Sequence, residues 1–182
     1  PGHPEAELAL VRLYRATGEK KYLDLGKYFI DQRGTEPNFF RSEWKNRGQI
    51  GHWSPVPVND INMEYWQAHQ PVREQDEAVG HAVRALYLYT GMAEIAAETG
   101  DETLKEVCAR LWHSAVEEKM YVTGGLGATG HGEAFMAPYE LPNDTAYAET
   151  CASVALCFFA RAMSRTERDG RYGDAMETQL YN

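Results

Sequence analysis

Residues 4–17 place Leu8, Val11 and Tyr14 on one stripe at helical spacing, with Leu10 and Leu13 widening it. Pro4, Glu5 and Glu7 suit the first turn of that helix, and Gly18 after Thr17 suits a left-handed cap. Residues 20–32 repeat the pattern with Tyr22, Leu23, Leu25, Tyr28, Phe29 and Ile30 before Gly34. Residues 35–75 lose all periodicity, and four prolines and three tryptophans among scattered charges predict a long ordered loop with short turns. From Ala78 to Thr99, Val79, Val83, Leu86, Thr90, Ala93 and Ala97 alternate by four and three, which predicts a long packed helix closed by Gly100. Leu104, Cys108, Leu111 and Ala115 carry the next helix over 102–117.

Thr17-Gly18-Glu19 and Thr99-Gly100-Asp101 thus read as equivalent corners of two helical hairpins, and Asp169-Gly170-Arg171 as a looser third. Residues 146–163 are apolar nearly all round, the composition of a helix inside a larger helical assembly, and Pro142-Asn143-Asp144-Thr145 offers capping residues before it. Tyr172, Met176 and Leu180 predict a last helix with no terminating Gly or Pro. Recurrent hairpins without convincing strands make the expected fold class all-α, an open solenoid or a closed toroid. Residue 1 is not Met and the last helix has no stop, so an internal piece of a larger protein, cut at both ends, is expected.

Composition narrows the function classes. The 182 residues are 43% hydrophobic and 25% charged, which are globular values. Eighteen basic against 27 acidic residues give a net charge of −9, which argues against a nucleic-acid or anionic-membrane partner. No apolar run reaches the roughly 20 residues of a membrane span, and the start lacks a signal core, so a soluble protein is expected. Three cysteines, Cys108, Cys151 and Cys157, are too few and too odd for a disulfide scaffold, so a reducing, cytoplasmic setting is expected.

Candidate chemistry is concentrated in the second half. Gly125-Leu126-Gly127-Ala128-Thr129-Gly130 formally fits a dinucleotide-binding pattern, but that pattern needs a strand before it and a helix directly after it, and neither is predicted here. The acidic residues Glu133, Glu140, Asp144 and Glu149 surround the start of the apolar helix and could supply the paired groups of glycoside hydrolysis. The plainer alternative has Asp144 capping the helix, Glu149 favouring its positive end and the others solvated. Glu149 and Cys151 could share a metal only at a distorted first turn, since residues two apart on a regular helix point roughly 200° apart. Glu77 and His81 are spaced i, i+4 on one expected helix face, close enough for the carboxylate to orient the imidazole, although such a pair is more often a structural hydrogen bond than a catalytic device; Tyr65, Trp66 and Tyr139 are available to stack on sugar faces.

Taken together, GHPEAELALVRLYRATG, YWQAHQPVREQDEAVGHAVRALYLYTGMAEIAAETGD, LWHSAVEEKMYVTGGLGATGHGEAF and YELPNDTAYAETCASVA resemble glycoside hydrolase family 127, whose characterised activity is β-L-arabinofuranosidase. The resemblance runs from about Gly2 to Asn182 and implies part of an (α/α)6 barrel, with β-sandwich domains outside this chain. It implies a retaining hydrolase whose cysteine nucleophile is held on zinc by one glutamate and three cysteines. By the same resemblance Glu133 in GHGEAF is the acid/base, Glu149 and Cys151 in AETC are zinc ligands, and His3, His81 and Glu177 contact substrate. The adjacent cysteine pair that includes the nucleophile has no counterpart in this chain, and Cys157 does not match it.

The implied partners are an L-arabinofuranose-containing oligosaccharide or glycoconjugate, and the remainder of the same protein or a homodimer partner. Two other readings stay open on the sequence: a two-carboxylate glycosidase without metal, and a helical-repeat scaffold that binds a protein.

Overall fold

The computed structural model describes residues 2–51 and 57–181, so the centre of the expected 35–75 loop, His52 to Val56, lies outside the described residues, as do Pro1 and Asn182. Seven α-helices carry the described chain: α1 (Ala6–Thr17), α2 (Lys20–Gln32), α3 (Phe39–Asn46), α4 (Ala82–Thr99), α5 (Glu102–Trp112), α6 (Thr150–Thr166) and α7 (Gly170–Tyr181). Among the described residues the only extended pairings are three isolated bridges.

Three antiparallel hairpins, α1/α2, α4/α5 and α6/α7, stand side by side, and α4 is central because it packs on α1, α2, α5 and α6. The most extensive contact joins α4 to α6. Gly91 of α4 explains the close approach of α1, since a Cβ there would lie 2.9 Å from the Cβ of Glu7. At their C-terminal ends α1, α4 and α6 are tied by ion pairs: Arg15 reaches the buried Glu94, Arg15 Nε lies 2.6 Å from Glu98, and Arg165 Nη2 lies 3.3 Å from Glu98. Aromatic rings fill the centre, where Phe159 of α6 packs against Tyr89 of α4 and Trp112 of α5.

The corners follow the expected chemistry in part. Gly18 and Gly100 both adopt left-handed conformations, φ 73° and 68°, that close the helices before them. Asp101 then caps α5 by accepting from the backbone N–H of Leu104, whereas Glu19 makes no such cap for α2. The broad apolar face expected of α2 is narrower than its composition implies: Leu23 and Ile30 are buried, while Leu25 and Tyr28 are exposed.

Four expectations about element bounds are corrected. The 35–75 loop contains α3, because the Asn38 side chain accepts from the N–H groups of Phe40 and Arg41. The helix expected from Ala78 starts at Ala82, with His81 as its cap. The 102–117 helix widens into a π-turn over His113–Glu118, which leaves Ser114 Oγ accepting from Ala78 N–H and Lys119 Nζ donating to Ala78 O. Finally, α6 begins at Thr150 and not at 146: Ala148 has φ 44° and Glu149 is extended, so the polar run 142–145 stands too far from the helix to cap it. None of the described helices is long and apolar enough to cross a membrane.

Candidate functional site

The N-terminal ends of α1, α4 and α6 lie at the same end of the hairpin array, opposite the Arg15 ion pairs. The N-terminal segment is held there by the Arg84 guanidinium, which donates to Gly2 O at 2.9 Å. His81 caps α4: its Nδ1 accepts from Arg84 N–H at 3.3 Å, so Nε2 is the nitrogen that faces outward. That Nε2 lies 2.6 Å from Glu133 Oε2.

Glu133 is delivered by the glycine-rich stretch. Gly132 (φ 68°) and Glu133 itself (φ 51°) take left-handed conformations, and Thr129 and Ala134 exchange backbone hydrogen bonds across the tip. A left-handed glutamate is strained, and such strain is held only where the surroundings over-determine it. Here Phe135 N–H donates to Gly80 O at 3.0 Å and Ala134 pairs with His81, which clamps the tip onto the start of α4. Tyr147 OH donates to Glu133 Oε1 at 3.3 Å, and the carboxylate raises the Tyr147 hydroxyl above its ordinary pKa.

Glu149 completes the group: one donor atom each from His81, Glu133 and Glu149 lie within 4.8 Å of one another, the described residues' one such cluster of three. Cys151 follows at the exposed first turn of α6. Because Glu149 is extended and outside the helix, its carboxylate can turn toward Cys151, and the charge of that carboxylate, with a hydrogen bond from the thiol, pushes the thiol above its usual pKa. The angular obstacle of a regular helix is thereby removed.

Other candidates are placed differently. His3 is half-buried, edge-on to the Tyr87 ring at 5.8 Å, and burial and then Arg84 lower its pKa. Glu177 lies on α7 outside the cluster, although its neighbours Thr178 and Gln179 approach Gly124. Glu140 and Asp144 are exposed and do not join Glu133 and Glu149. The expected Glu77–His81 pair is not formed: His81 is a cap, and Glu77 is bound by the buried Lys119 Nζ at 2.6 Å. The dinucleotide reading of residues 125–130 is also excluded, since a π-turn precedes them and only a three-residue 3₁₀ turn, His131–Glu133, follows.

Of the aromatic candidates, Tyr65 stands edge-on to the His81 ring at 5.4 Å. Trp66 is covered by Phe40, stacked at 5.2 Å, and by the Arg84 guanidinium at 4.5 Å, and Tyr139 is exposed. Sequence reasoning missed Tyr147 and Gln67. Gln67 is fully buried with φ 51°, and its Nε2 lies within 3.4 Å of the carbonyls of Glu64, Tyr65, Val79 and His81, which fixes the backbone behind the site. Its sequence signal is slight, a glutamine directly after Tyr65-Trp66. Beside Glu133 opens a cavity of about 630 Å³, lined in part by Tyr65, His131, Gly132 and Arg47.

Comparison with known proteins matches this geometry to a family. The family model for the β-L-arabinofuranosidase GH127 catalytic domain matches residues 1–182. The non-reducing end β-L-arabinofuranosidase of Bifidobacterium longum subsp. longum is 47% identical over the whole chain, which corresponds to 27% of that protein. The chain therefore spans about a quarter of the length of the curated relative it matches. The crystal structure of a GH127 β-L-arabinofuranosidase from Geobacillus stearothermophilus T6 superposes with a TM-score of 0.90 at 54% identity, over 97% of this chain and 27% of that one. A further GH127 β-arabinofuranosidase gives 0.82 at 46% identity, over 100% and 25%. The side-by-side hairpins are accordingly part of an (α/α)6 barrel.

Proposed function

The chain belongs to the GH127 β-L-arabinofuranosidase catalytic-domain family, and on that premise we propose that the protein carrying it is a retaining β-L-arabinofuranosidase with Glu133 as general acid and base. The observation that carries the reading is the placement of Glu133: a strained loop tip clamps it 2.6 Å from His81 Nε2 and within 4.8 Å of Glu149. A general acid must be held within hydrogen-bond reach of the leaving oxygen, and a rigid tip does this without reorganisation during the reaction. His81 and Tyr147 orient the two oxygens of that carboxylate, and the N-terminal ends of α4 and α6 favour negative charge beside it.

The donor set at α6 fits a zinc ion. A carboxylate and a thiol meet there at an exposed turn, and both are ordinary zinc ligands. Glu149 and Cys151 would hold the ion from this chain, and a bound zinc supplies charge that keeps thiols as thiolates. The further cysteines, the rest of the barrel and the β-sandwich domains belong to the remaining length of the protein in this reading. His3, beyond Tyr87, and Glu177 are assigned to the sugar hydroxyls.

The separation of Glu133 and Glu149 also supports a second reading. Two carboxylates about 5–5.5 Å apart suit a retaining glycosidase that uses no metal, and here one oxygen of each carboxylate lies within 4.8 Å of the other. Chelation separates the readings, since the zinc reading requires activity and metal to be lost together. The role of Glu133 is tested in the full-length protein with Glu133→Gln. Hydrolysis of a saccharide substrate is expected to fall on the order of 10²–10⁴-fold, with zinc content unchanged and an aryl glycoside affected far less. Equal, mild losses on both substrates would remove Glu133 from the role.

A further inference from the structure

The segment that carries His81 into α4 precedes the first helical turn, so its backbone groups must be satisfied from elsewhere. Val79 O accepts from Gln67 Nε2 at 3.1 Å, and Gly80 O from Phe135 N–H at 3.0 Å. Ala78 is fully buried, and both its groups are met from the π-turn after α5 and the residue that follows it. Its N–H donates to Ser114 Oγ at 3.1 Å, and its carbonyl accepts from Lys119 Nζ at 2.7 Å. Turns of this kind are rare and recur at functional sites.

Lys119 is the unexpected member of this group. Its side chain is 2% exposed, and a lysine is almost never buried to this extent unless it is paired. The pair is with Glu77 Oε1 at 2.6 Å, and the same ammonium lies 6.0 Å from the centre of the Phe135 ring. Lys119 therefore touches both arms of the clamp at the site, since Ala78 stands shortly before His81 and Phe135 shortly after Glu133. A buried ion pair adds little to stability over a well-packed apolar side chain. An ammonium fixed on a carboxylate and a carbonyl does, however, define a position that an apolar side chain would not.

We propose that Lys119 is a positioning residue for the contact between His81 and Glu133, acting through Ala78 on one arm and Phe135 on the other. The role rests on the reading of Glu133 as acid and base. Without the ammonium the two arms shift against each other and the proton donor moves with them. Misplacement by about 1 Å costs up to roughly 10²-fold in rate, and the cost falls on leaving groups that need the proton.

The test uses the full-length protein with Lys119→Met, which keeps an unbranched apolar stem and removes the donors. For a saccharide substrate kcat/KM is expected to fall about 10–100-fold. An aryl glycoside, whose leaving group needs less protonation, is expected to change by about threefold or less. A merely structural role would lower both alike through the amount of folded protein, so equal losses, or no loss on either, overturn the proposal. Glu77 is partly exposed, and Glu77→Ala frees the ammonium from one of its two anchors. If Lys119→Met does not fold, Glu77→Ala is read in the same way, with an expected loss of about two- to tenfold on the saccharide alone. If Glu133→Gln itself gives equal, mild losses on both substrates, the acid/base reading has failed and the positioning role is judged by amide hydrogen exchange. Exchange about tenfold faster over residues 129–136 in the folded variant, with α4 unchanged, then supports it. Exchange unchanged over 129–136, or faster throughout the chain, overturns it.

Discussion

Arg73 shows how one side chain can join three separate elements. From the 3₁₀ turn before α4 it donates to Asp31 of α2 and to Asp101, the cap of α5, with Nη2–O distances of 3.0 and 2.7 Å. The guanidinium, helped by Thr103 and the Leu104 N–H, holds the Asp101 carboxyl far below the usual carboxylate range. A depressed acid contributes stability that is complete above its unfolded pKa, about 4, and is lost as pH falls below that value. Arg73→Met is therefore expected to cost about 1–2 kcal/mol at neutral pH, discounted for partial exposure. The cost should shrink between about pH 4 and pH 2 as Asp101 protonates in the unfolded chain. Thermal unfolding of both proteins across that range checks the sign, and a difference that grows on acidification would contradict it.

At the scale of the helices, the contact between α1 and α4 rests on a missing side chain. Helix propensity alone predicts that Gly91→Ala stabilises α4 by about 1 kcal/mol. The Cβ of alanine would, however, meet the Glu7 Cβ at 2.9 Å, closer than such atoms approach in folded proteins, so the helices must separate. Overpacking of this kind costs about 1–3 kcal/mol, so a lower melting temperature is expected. A raised one would show that α1 yields freely. Separation would also move His3 and Gly2, which reach the site through Tyr87 and Arg84, so a loss of substrate affinity should accompany the loss of stability.

For the molecule as a whole, α7 exposes Leu180 and Tyr181, and Leu13, Phe39 and Val154 are also uncovered. In helices that form part of an (α/α)6 barrel, such side chains are open to a partner. The isolated 182-residue chain is expected to self-associate and to bind zinc far more weakly than the full-length protein. In the proposed zinc site Glu149 and Cys151 would supply two of the four donors that a closed site takes. Metal content after dialysis against a mild chelator, measured for both, checks this, and stoichiometric zinc in the short chain would show the ligands to be wrongly assigned.

Helical spacing and the two Thr-Gly-acid corners were enough for the sequence to determine the hairpins, because burial of one stripe and a left-handed cap are local requirements. Long family-like segments carried the family and the candidate residues by their order along the chain. The pairing of side chains was decided only by the tertiary structure. Glu77 and His81 look like neighbours at i, i+4, but the helix expected from Ala78 begins at Ala82, so both precede its first turn, and Lys119 arrives from the end of the π-turn to take Glu77. Glu133 reaches His81 because two left-handed residues turn the glycine loop back onto α4. A contact between positions so far apart in sequence leaves no periodic trace, since it depends on where packed helices bring their ends, and so the site became visible only in three dimensions.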